Sequence, residues 1–364
     1  MFTFPLNDKA RIQCVCNHAD GKVNPIFSNV LINASASSGS ITFSASNGAQ
    51  HNSFTLNAAV EEDCQFTLDA GRLATVLGAL NGDSVKFISK DDHVVARSGK
   101  SRLKLETGEA VDYPEPPTIE QALTTVSCTV ADLGGLFSYA SYAVAKKDVR
   151  YYLNYLNMTV NDDDQSLIVC ATDGHRLSQL RHSLRCTGNG SYLVPLSMFT
   201  ALLAQGLNPD TPVTIKIHES MICAQCPDTM IISTLGDGMY PDVKRVIPAK
   251  GANFVTLKLN EFKSLVKRLH SVAALEKYSS LRLEIDATTV NVSVASSGNN
   301  AFSEEMDAEV HCEPVTLGLN ASYLADALAR QSGDYVRIYP NGNAAVLLCC
   351  DVDELTTLIM PTRV

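Results

Sequence analysis

Apolar residues recur at helical spacing in two stretches of the chain that lie about 130 positions apart. The first stretch has them at Leu133, Leu136, Phe137, Ala140, Ala143 and Val144. The second has them, at the same spacing, at Phe262, Leu265, Val266, Leu269, Val272 and Ala273. Such positions share one face of a helix, so each stretch predicts an amphipathic helix. A shorter version at Ile12, Val15 and Cys16 predicts a third helix of this kind.

A second helical signal also occurs three times, and each copy is followed by alternating apolar positions typical of a strand. The helical copies are at Leu73, Val76, Leu77 and Leu80, at Phe199, Leu202 and Leu203, and at Leu324, Ala327 and Leu328. The strand copies are at Val85 and Phe87, at Val213, Ile215 and Ile217, and at Val336 and Ile338. The pattern therefore predicts an α+β chain of three repeats of about 125 residues, each with two helices packed on antiparallel strands.

Proline-bearing segments at 114–117 and 248–251 separate the repeats, which predicts domains at 1–122, 123–250 and 251–364. Among the 364 residues, 45% are apolar and 19% are charged, a composition typical of globular domains. Because Trp is absent and there are only 12 Phe and 12 Tyr, we expect aliphatic side chains to fill the cores.

Charge is distributed differently over helices and strands. The chain is acidic, with 29 Lys and Arg against 39 Asp and Glu. The predicted helix around Phe262 nevertheless carries Lys258, Lys263, Lys267 and Arg268, whereas residues 284–313 contain no base. Two interpretations remain open, ordinary solvated helix faces or a basic surface that attracts phosphates without reading base sequence.

Candidate catalytic and metal motifs are weak. Cys223 and Cys226 form a C-x-x-C pair, but no second ligand pair accompanies it, so we interpret them as packing residues. Asp173 and His175 could form an acid–base pair with Ser178 as nucleophile, yet the surrounding sequence does not resemble a nucleophile elbow. We therefore predict no catalytic residue, no metal and no cofactor. The 11 Cys, an odd number, favour a reducing compartment, and we expect a cytoplasmic protein.

Three runs of residues resemble one known family. They are DVRYYLN at 148–154, ATDGHRL at 171–177 and MPTR at 360–363. The chain is similar in these runs, in its length and in its threefold repeat to the bacterial sliding clamp, the β subunit of DNA polymerase III. The resemblance covers the whole chain, and the first third is the most divergent.

The resemblance implies a fold and a function. Clamps of this family are homodimers that form a ring of six similar half-units with sixfold pseudo-symmetry, with helices lining the hole. Such a ring encircles double-stranded DNA as a processivity factor and has no catalytic activity of its own. The implied partners are the polymerase catalytic subunit, the clamp loader and repair proteins that carry clamp-binding motifs, with no membrane involved. The alternative is a monomeric protein of clamp fold that binds clamp partners without encircling DNA.

The resemblance also implies three groups of site residues. A pocket for partner peptides would comprise Leu153, Thr172, Gly174, His175, Arg176, Leu177, Pro241, Arg245, Val246, Leu358, Met360, Pro361 and Thr362. DNA contacts would come from Lys22, Arg72, Lys147, Tyr151 and Tyr152. The dimer interface would include Arg72, Leu103, Val272, Ala273, Glu304 and Glu305.

Two positions depart from the family pattern. Thr362 stands where the family usually has Met, so we expect a more polar pocket wall and weaker binding of the deepest apolar anchor. Val272 and Ala273 stand where larger aliphatic residues are usual, so we expect a dimer that dissociates more readily than typical clamps.

Overall fold

Among the residues that the structure describes, each third of the chain contains two α-helices and nine strands. The computed structural model describes residues 1–90, 92–276, 279–294, 302–342, 344–350 and 354–363, so Val364, the end of the predicted third domain, lies outside them. The first third contains β1 (Phe2–Pro5), α1 (Lys9–Cys16), β2 (Asn29–Ser35), β3 (Ser40–Ser46), β4 (Gln50–Asn57), β5 (Ala59–Val60), β6 (Cys64–Asp69), α2 (Ala70–Ala79), β7 (Ser84–Ser89), β8 (His93–Ser98) and β9 (Ser101–Glu106). The second contains β10 (Thr124–Thr129), α3 (Val130–Ala140), β11 (Leu156–Asn161), β12 (Ser166–Thr172), β13 (Arg176–Ser183), β14 (Arg185–Thr187), β15 (Gly190–Val194), α4 (Leu196–Leu203), β16 (Pro212–His218), β17 (Met221–Gln225) and β18 (Thr229–Thr234). The last contains β19 (Val255–Lys258), α5 (Leu259–Ala273), β20 (Ser280–Ile285), β21 (Thr289–Val294), β22 (Ser303–Asp307), β23 (Glu309–Val310), β24 (Val315–Asn320), α6 (Ala321–Arg330), β25 (Tyr335–Tyr339), β26 (Val346–Cys349) and β27 (Leu355–Ile359).

The predicted helices are confirmed, with two boundary errors, one of which is Leu80, an extended residue just after α2. In α1 and α5 the predicted apolar residues are buried, apart from the half-buried Val272. The α3 helix ends at Ala140, and the chain continues as a 3-10 helix, Ser141–Ala143, before Val144 becomes extended. Ala143 and Val144 are still buried, because a 3-10 turn at the end of a helix continues along its axis. No helix within the described ranges is both long and apolar enough to cross a membrane.

Contacts divide the chain into two compact units. Unit 1 consists of Met1–Gly134, Val160–Gln165 and Leu184–Asp237. Unit 2 consists of Gly135–Thr159, Ser166–Ser183 and Gly238–Val364. The chain crosses from one unit to the other five times. The crossings lie within α3, within β11, between residues 165 and 166, between residues 183 and 184, and between residues 237 and 238. The boundaries of the three predicted domains remain predictions.

Unit 1 joins the first and second thirds of the sequence through one sheet. Its nine strands follow the order β14-β10-β16-β17-β18-β4-β3-β2-β6, and β18 pairs antiparallel with β4. Arg11 of α1 strengthens this junction, because its guanidinium donates to both carboxylate oxygens of Asp228 at 2.7 and 2.6 Å. A second sheet has the order β5-β1-β7-β8-β9.

The core of unit 1 is mainly aliphatic, as predicted, but it also contains a group of packed phenylalanines. Phe2 and Phe87 are fully buried and stack with ring centroids 5.2 Å apart, and Phe4 and Phe43 meet edge to face at 5.7 Å. These residues lie on strands that face α1 and α2, whose buried residues belong to the same cluster. The few Phe of the chain are thus concentrated where one core needs large side chains.

Unit 2 joins the second and last thirds in the same way. Strands β12-β13-β27-β26-β25-β19-β23 follow one another in a sheet, with β13 paired antiparallel to β27 and Leu177 opposite Leu358. A four-stranded sheet has the order β22-β21-β20-β24. The core between α5, α6 and these strands includes Phe262 and Leu324 and is largely aliphatic, as predicted. Asn320 caps α6, because its side-chain oxygen accepts a hydrogen bond from the Tyr323 amide at 3.0 Å.

Candidate functional site

A concave, mainly apolar cavity of about 230 Å³ lies in unit 2. Five segments of the chain meet around it. They are the loop before β11, the turn between β12 and β13, the segment that begins at Pro241, the residue before β26, and the end of β27. Its lining residues are Arg150, Tyr152, Leu153, Thr172, Gly174, His175, Arg176, Leu177, Pro241, Asp242, Val243, Val246, Ala345, Leu358 and Met360.

The β12–β13 turn is held rigid by its own side chains. The Asp173 carboxylate accepts hydrogen bonds from the backbone amides of His175 and Arg176 at 2.9 and 3.0 Å. Thr172 donates its hydroxyl hydrogen to the Arg176 carbonyl at 2.6 Å and accepts from the Gly174 amide at 3.1 Å. Gly174 has a φ of 89°, a backbone angle that residues with a side chain rarely adopt, so this turn requires glycine.

The loop before β11 is fixed in a similar manner. Asn154 accepts a hydrogen bond from the Asp148 amide at 2.9 Å and donates to the Asp148 carbonyl at 3.0 Å. Arg150 binds the Asp148 carboxylate with Nε and Nη2 at 3.0 and 2.9 Å and holds the pKa of that carboxyl at about 2. This locked loop leads into the 3-10 helix Tyr151–Asn154, which places Leu153 in the cavity wall.

The last strand and the segment after Pro241 complete the wall. The Met360 amide continues the β13–β27 pairing by donating to the His175 carbonyl at 2.8 Å, and its side chain is 43% exposed at the rim. Asp242 caps the 3-10 helix Val243–Arg245 and pairs with Arg245 at 3.0 Å. Leu177, Leu358 and Ala345 connect the floor of the cavity to a small buried cluster that also contains Tyr339 and Leu347.

Arg176 links three parts of unit 2 beside the cavity. Its guanidinium binds Asp173 at 3.0 Å and Asp326 of α6 at 2.6 Å. It also lies over the rings of Tyr323 and Tyr142, at 4.4 and 5.3 Å from their centroids. Only 12% of this side chain is exposed, so the charge is paired and largely withdrawn from water. Its contacts fix the turn that carries His175 against α6.

Ten of the thirteen residues predicted for the pocket, all within the described ranges, line this cavity. They are Leu153, Thr172, Gly174, His175, Arg176, Leu177, Pro241, Val246, Leu358 and Met360. Arg245, Pro361 and Thr362 are not in its wall. Arg245 is exposed and bonded to Asp242. The Thr362 amide donates to the Gly318 carbonyl at 2.8 Å, and its hydroxyl is 3.2 Å from that of Ser280.

Five lining residues were not predicted for the pocket. Tyr152 was assigned to DNA, and Arg150, Asp242 and Val243 stand next to residues that were predicted. These neighbours could have been found, because the loops that hold them were already identified. Nothing in the local sequence indicates that Ala345 lines the cavity, because it is brought there only by the pairing of β26, which it directly precedes.

The residues predicted to contact DNA are distributed over both units. In unit 1, Lys22 is exposed and pairs with Asp20 at 2.8 Å, and Arg72 in the first turn of α2 is 3.9 Å from Glu106. In unit 2, Lys147 and Tyr151 are exposed, and Lys147 has a φ of 56°. Tyr152 is half-buried in the cavity wall and meets Tyr151 edge to face.

Three of the six predicted interface residues fall on two sheet edges, and the other three, Arg72, Val272 and Ala273, lie on helices. Leu103 lies on β9, which ends the five-stranded sheet of unit 1, and Glu304 and Glu305 lie on β22, which ends the four-stranded sheet of unit 2. Val272 is half-buried against the core of unit 2. Ala273 is fully buried in that core and offers no surface to a second chain, so its assignment to the interface is wrong. The helical periodicity places Ala273 on the inner face of α5.

The geometry gives no support to an acid–base pair at Asp173 and His175. Both oxygens of Asp173 are engaged by backbone amides and by Arg176, and its bond to His175 is to the amide, not to the ring. Ser178 is fully buried and donates to the Tyr139 carbonyl at 2.6 Å. Burial raises the pKa of Cys170, below the cavity, to about 12, which keeps that thiol protonated. The residues that the structure describes contain no cluster of three or more side chains suited to a metal ion.

Comparisons with known proteins agree along the whole chain. Residues 11–117, 131–242 and 244–363 match, in that order, the N-terminal, central and C-terminal domains of the DNA polymerase III beta subunit. The beta sliding clamp of Vibrio cholerae is 29% identical over 284 residues, which cover 77% of this chain and 76% of that protein. The beta sliding clamp of Pseudomonas aeruginosa is 27% identical over 350 residues, covering 93% and 92%.

A solved structure shows the same architecture. The sliding clamp of Pseudomonas aeruginosa, DNA polymerase III subunit beta bound to griselimycin, superposes with a TM-score of 0.91 at 25% identity and covers 100% of this chain and 99% of its own. The threefold repeat, the fold and the three matched domains lead to the same conclusion. The chain belongs to the family of DNA polymerase III beta subunits, and its function is that of a DNA sliding clamp.

Proposed function

We propose that the cavity in unit 2 is the site at which this clamp binds short peptide segments of its partners. These partners are the polymerase catalytic subunit, the clamp loader and repair proteins, and the clamp contributes binding without catalysis. The observation that carries the proposal is the meeting of five segments of the chain around one apolar cavity, with Leu177, Leu358 and Met360 in its wall. A volume of about 230 Å³ is below the range of about 300–1,000 Å³ typical of small-molecule sites and suits a few apolar side chains.

The expected affinity follows from the size of this site. Burial of two Leu- or Phe-sized side chains contributes about 3–6 kcal/mol, and ordering a flexible peptide opposes binding. Contacts of the peptide backbone at the rim add to this, and we expect a dissociation constant near the micromolar range. Such an affinity allows different partners to exchange on one clamp.

Two exposed sheet edges support a homodimeric ring. Strand β9 carries Arg102, Lys104 and Glu106, with one positive charge in excess, and strand β22 carries the acidic Glu304, Glu305 and Asp307. An edge strand has unpaired backbone groups that can pair with a second chain, and here the two edges also differ in charge. We propose that β9 of one subunit pairs with β22 of the other, at both ends, which closes a ring after two copies.

A ring of this kind would hold DNA by enclosure and by weak phosphate contacts. The exposed cations Lys22, Arg72 and Lys147 can contact phosphates, and the exposed Tyr151 lies four positions after Lys147. Contacts to phosphates alone do not depend on base sequence, which permits sliding. We propose the cytoplasm as the place of action, as for DNA replication in bacteria.

Peptide binding tests the proposed site directly. A fluorescent peptide with Leu and Phe anchors is titrated with the wild-type chain and with a truncation that lacks residues 360–364, of which Val364 lies outside the described residues. The truncation removes the Met360 side chain and also the backbone bonds of Met360 to His175 and of Thr362 to Gly318, so it should abolish binding, a larger effect than loss of the Met360 side chain alone. Its mass in solution and its thermal unfolding serve as controls for the fold. Unchanged affinity in a folded truncation would show that partners bind elsewhere.

A further inference from the structure

The turn beside the apolar cavity of unit 2 occurs a second time in the chain, between β3 and β4 of unit 1. The Asn47 side-chain oxygen accepts hydrogen bonds from the backbone amides of Ala49 and Gln50 at 3.0 and 2.8 Å, as the aspartate does in the β12–β13 turn. The Gly48 amide donates to the Ser46 hydroxyl at 3.1 Å, and its φ is 90°, against 89° for the glycine of unit 2. The two turns therefore share one backbone conformation and the same internal hydrogen bonds.

Each of these turns is followed by a strand that pairs with the next repeat in the same register. In unit 1 the Thr234 amide at the end of β18 donates to the Ala49 carbonyl at 2.9 Å, as the amide that follows β27 donates to its turn in unit 2. His51 of β4 lies opposite Ile232 of β18, so His51 has the register position that Leu177 has in unit 2. Unit 1 thus repeats the backbone frame around which the cavity of unit 2 is built.

The other walls of the cavity also have equivalents in unit 1. The 3-10 helix Pro25–Ser28 precedes β2, as the 3-10 helix Tyr151–Asn154 precedes β11. Phe27 is the third residue of the first helix, and Leu153 is the third residue of the second. Tyr113 begins a Tyr-Pro pair after the first repeat, and the proline of an equal pair lines the cavity of unit 2. We call the part of unit 1 formed by its 3-10 helix, Tyr113, the β3–β4 turn and the adjoining ends of β4 and β18 the counterpart site.

Phe27 fills the counterpart site. Its side chain is buried, and its ring meets the Tyr113 ring edge to face with centroids 5.9 Å apart. A Cβ placed on Gly48 would meet the Val23 and Phe27 side chains at 3.4 and 3.6 Å, so these side chains pack against the turn. At the turn glycine of unit 2 the nearest group to this position is instead the Arg150 guanidinium, at 3.1 Å. The chain thus fills the counterpart site with an aromatic side chain of its own.

The floor of the counterpart site is more polar than that of the cavity. His51 is 4% exposed, and its Nε2 has no hydrogen-bond partner among the residues that the structure describes. Cys223 of β17 lies opposite Ile232, at the register position that Leu347 has in unit 2. An apolar side chain seated here would bury less apolar surface and would keep the imidazole nitrogen from water, which is unfavourable. Unit 1 therefore has the frame of the peptide site with a less apolar floor.

We propose that the counterpart site is a second, latent copy of the peptide site, closed by Phe27 and made polar by His51. The inference rests on the proposed function of the apolar cavity and adds the reason why one subunit offers its partners one site and not two. The ligand class is an apolar side chain of a partner peptide, and Phe27 takes the place of that side chain. The phenylalanine closes the frame in unit 1, whereas the smaller Leu153 leaves it open in unit 2.

Exchange of the distinguishing residues between the two units tests this inference in the full-length chain. Leu153→Phe introduces the closing residue into unit 2, and Phe27→Leu with His51→Leu introduces the unit 2 residues into the counterpart site. Affinity for a peptide with Leu and Phe anchors is measured by fluorescence anisotropy, and the number of peptides bound per subunit by calorimetry. Leu123→Phe is the matched control, because Leu123 is exposed in unit 1 and belongs to neither site.

We expect the wild type to bind one peptide per subunit. Leu153→Phe should weaken binding at least about tenfold, because the larger ring overpacks the cavity, and Leu123→Phe should not. The double variant Phe27→Leu/His51→Leu should bind a second peptide. The triple variant that also carries Leu153→Phe should bind a single peptide, now in unit 1.

Three results would overturn the inference. Two peptides bound per wild-type subunit would show that the counterpart site is open, and unchanged affinity of Leu153→Phe would show that a phenylalanine does not close the frame. A folded double variant that binds only one peptide would show that the frame of unit 1 does not bind peptides. Thermal unfolding checks the fold of each variant, and if the double variant is unfolded, the first two results decide. A wild type that binds no peptide at all would refute the proposed peptide site itself, which is distinct from these three results.

Discussion

Thr362 and Met360 lie two positions apart and have different environments. Met360 stands at the rim of the apolar cavity, where its amide pairs with β13 and its side chain is half-exposed. Thr362 lies beside β24 and β20, with its amide bound to the Gly318 carbonyl and its hydroxyl next to Ser280. The departure from Met at position 362 therefore does not alter the cavity wall of this chain, contrary to the expectation from sequence.

Substitutions at these two positions should differ in their effect on peptide binding. Thr362→Met should change the affinity for the Leu and Phe peptide by less than about twofold, because the side chain is outside the cavity. Met360→Ala should weaken binding about fivefold, since it removes apolar contact worth about 1 kcal/mol at the rim. Anisotropy titrations measure both, with thermal unfolding as the control. A several-fold tighter Thr362→Met variant would place this side chain in the site after all.

Residues of the cavity could be predicted where they belong to loops that are held by hydrogen bonds between residues close in sequence. The hydrogen bonds of Asp148, Asn154 and Asp173 are local, so the runs that contain them signal both the loop and the site. Ala345 and the true position of Thr362 depend on which strands pair over long sequence distances. Local sequence contains no information about that packing, so these residues could not be assigned from it.

The sheet edges β9 and β22 are the elements on which the ring depends. Each ends its sheet among the described residues, and the basic Arg102 and Lys104 of β9 are opposite in charge to the acidic Glu304 and Glu305 of β22. Glu304 is partly engaged within the chain, because Arg268 donates to it at 3.0 Å, whereas Glu305 is exposed. Glu305 is thus the acidic residue of β22 that is best placed to interact with another subunit.

Reversal of this charge should weaken the dimer. Glu305→Arg places like charges at the proposed contact with Arg102 and Lys104, and we expect the dimer dissociation constant to rise about tenfold. Light scattering over a dilution series measures this change. Glu313→Arg is the control, because Glu313 is also exposed in unit 2 but lies outside β22. Equal dissociation of both variants and the wild type would exclude this edge from the interface.

The elements were predicted well wherever apolar spacing was regular. The α5 helix follows its pattern from start to end. The α3 helix is shorter than predicted, because apolar spacing cannot distinguish the last turn of an α-helix from a 3-10 turn that buries the same residues. The pairings of β4 with β18 and of β13 with β27 join different repeats, and only the folded chain defines them.

At the scale of the molecule, a buried histidine should make folding sensitive to acid. His51 of β4 is 4% exposed, and burial, with a smaller contribution from His18, lowers its pKa to about 4. The unfolded chain has a His pKa of about 6.5, so between pH 6.5 and 4 it binds more protons than the folded chain. The contribution of His51 to the free energy of unfolding is therefore fully present above pH 6.5 and is lost as the pH falls toward 4.

This group alone should cost about 2 kcal/mol of folding free energy between pH 7 and pH 5. Urea unfolding at the two pH values measures the loss, and His51→Leu should reduce it by that amount. A variant with the same pH dependence as the wild type would show that His51 is not the responsible group.

Retention on circular DNA shows most directly whether this clamp holds DNA by enclosing it. The protein is loaded onto a nicked circular plasmid by an ATP-driven clamp loader, and the bound fraction is measured by gel filtration before and after one restriction cut. We predict that it stays on the circle at salt concentrations that abolish direct phosphate binding and leaves through the ends once the DNA is linear. Equal retention on circular and linear DNA would contradict enclosure.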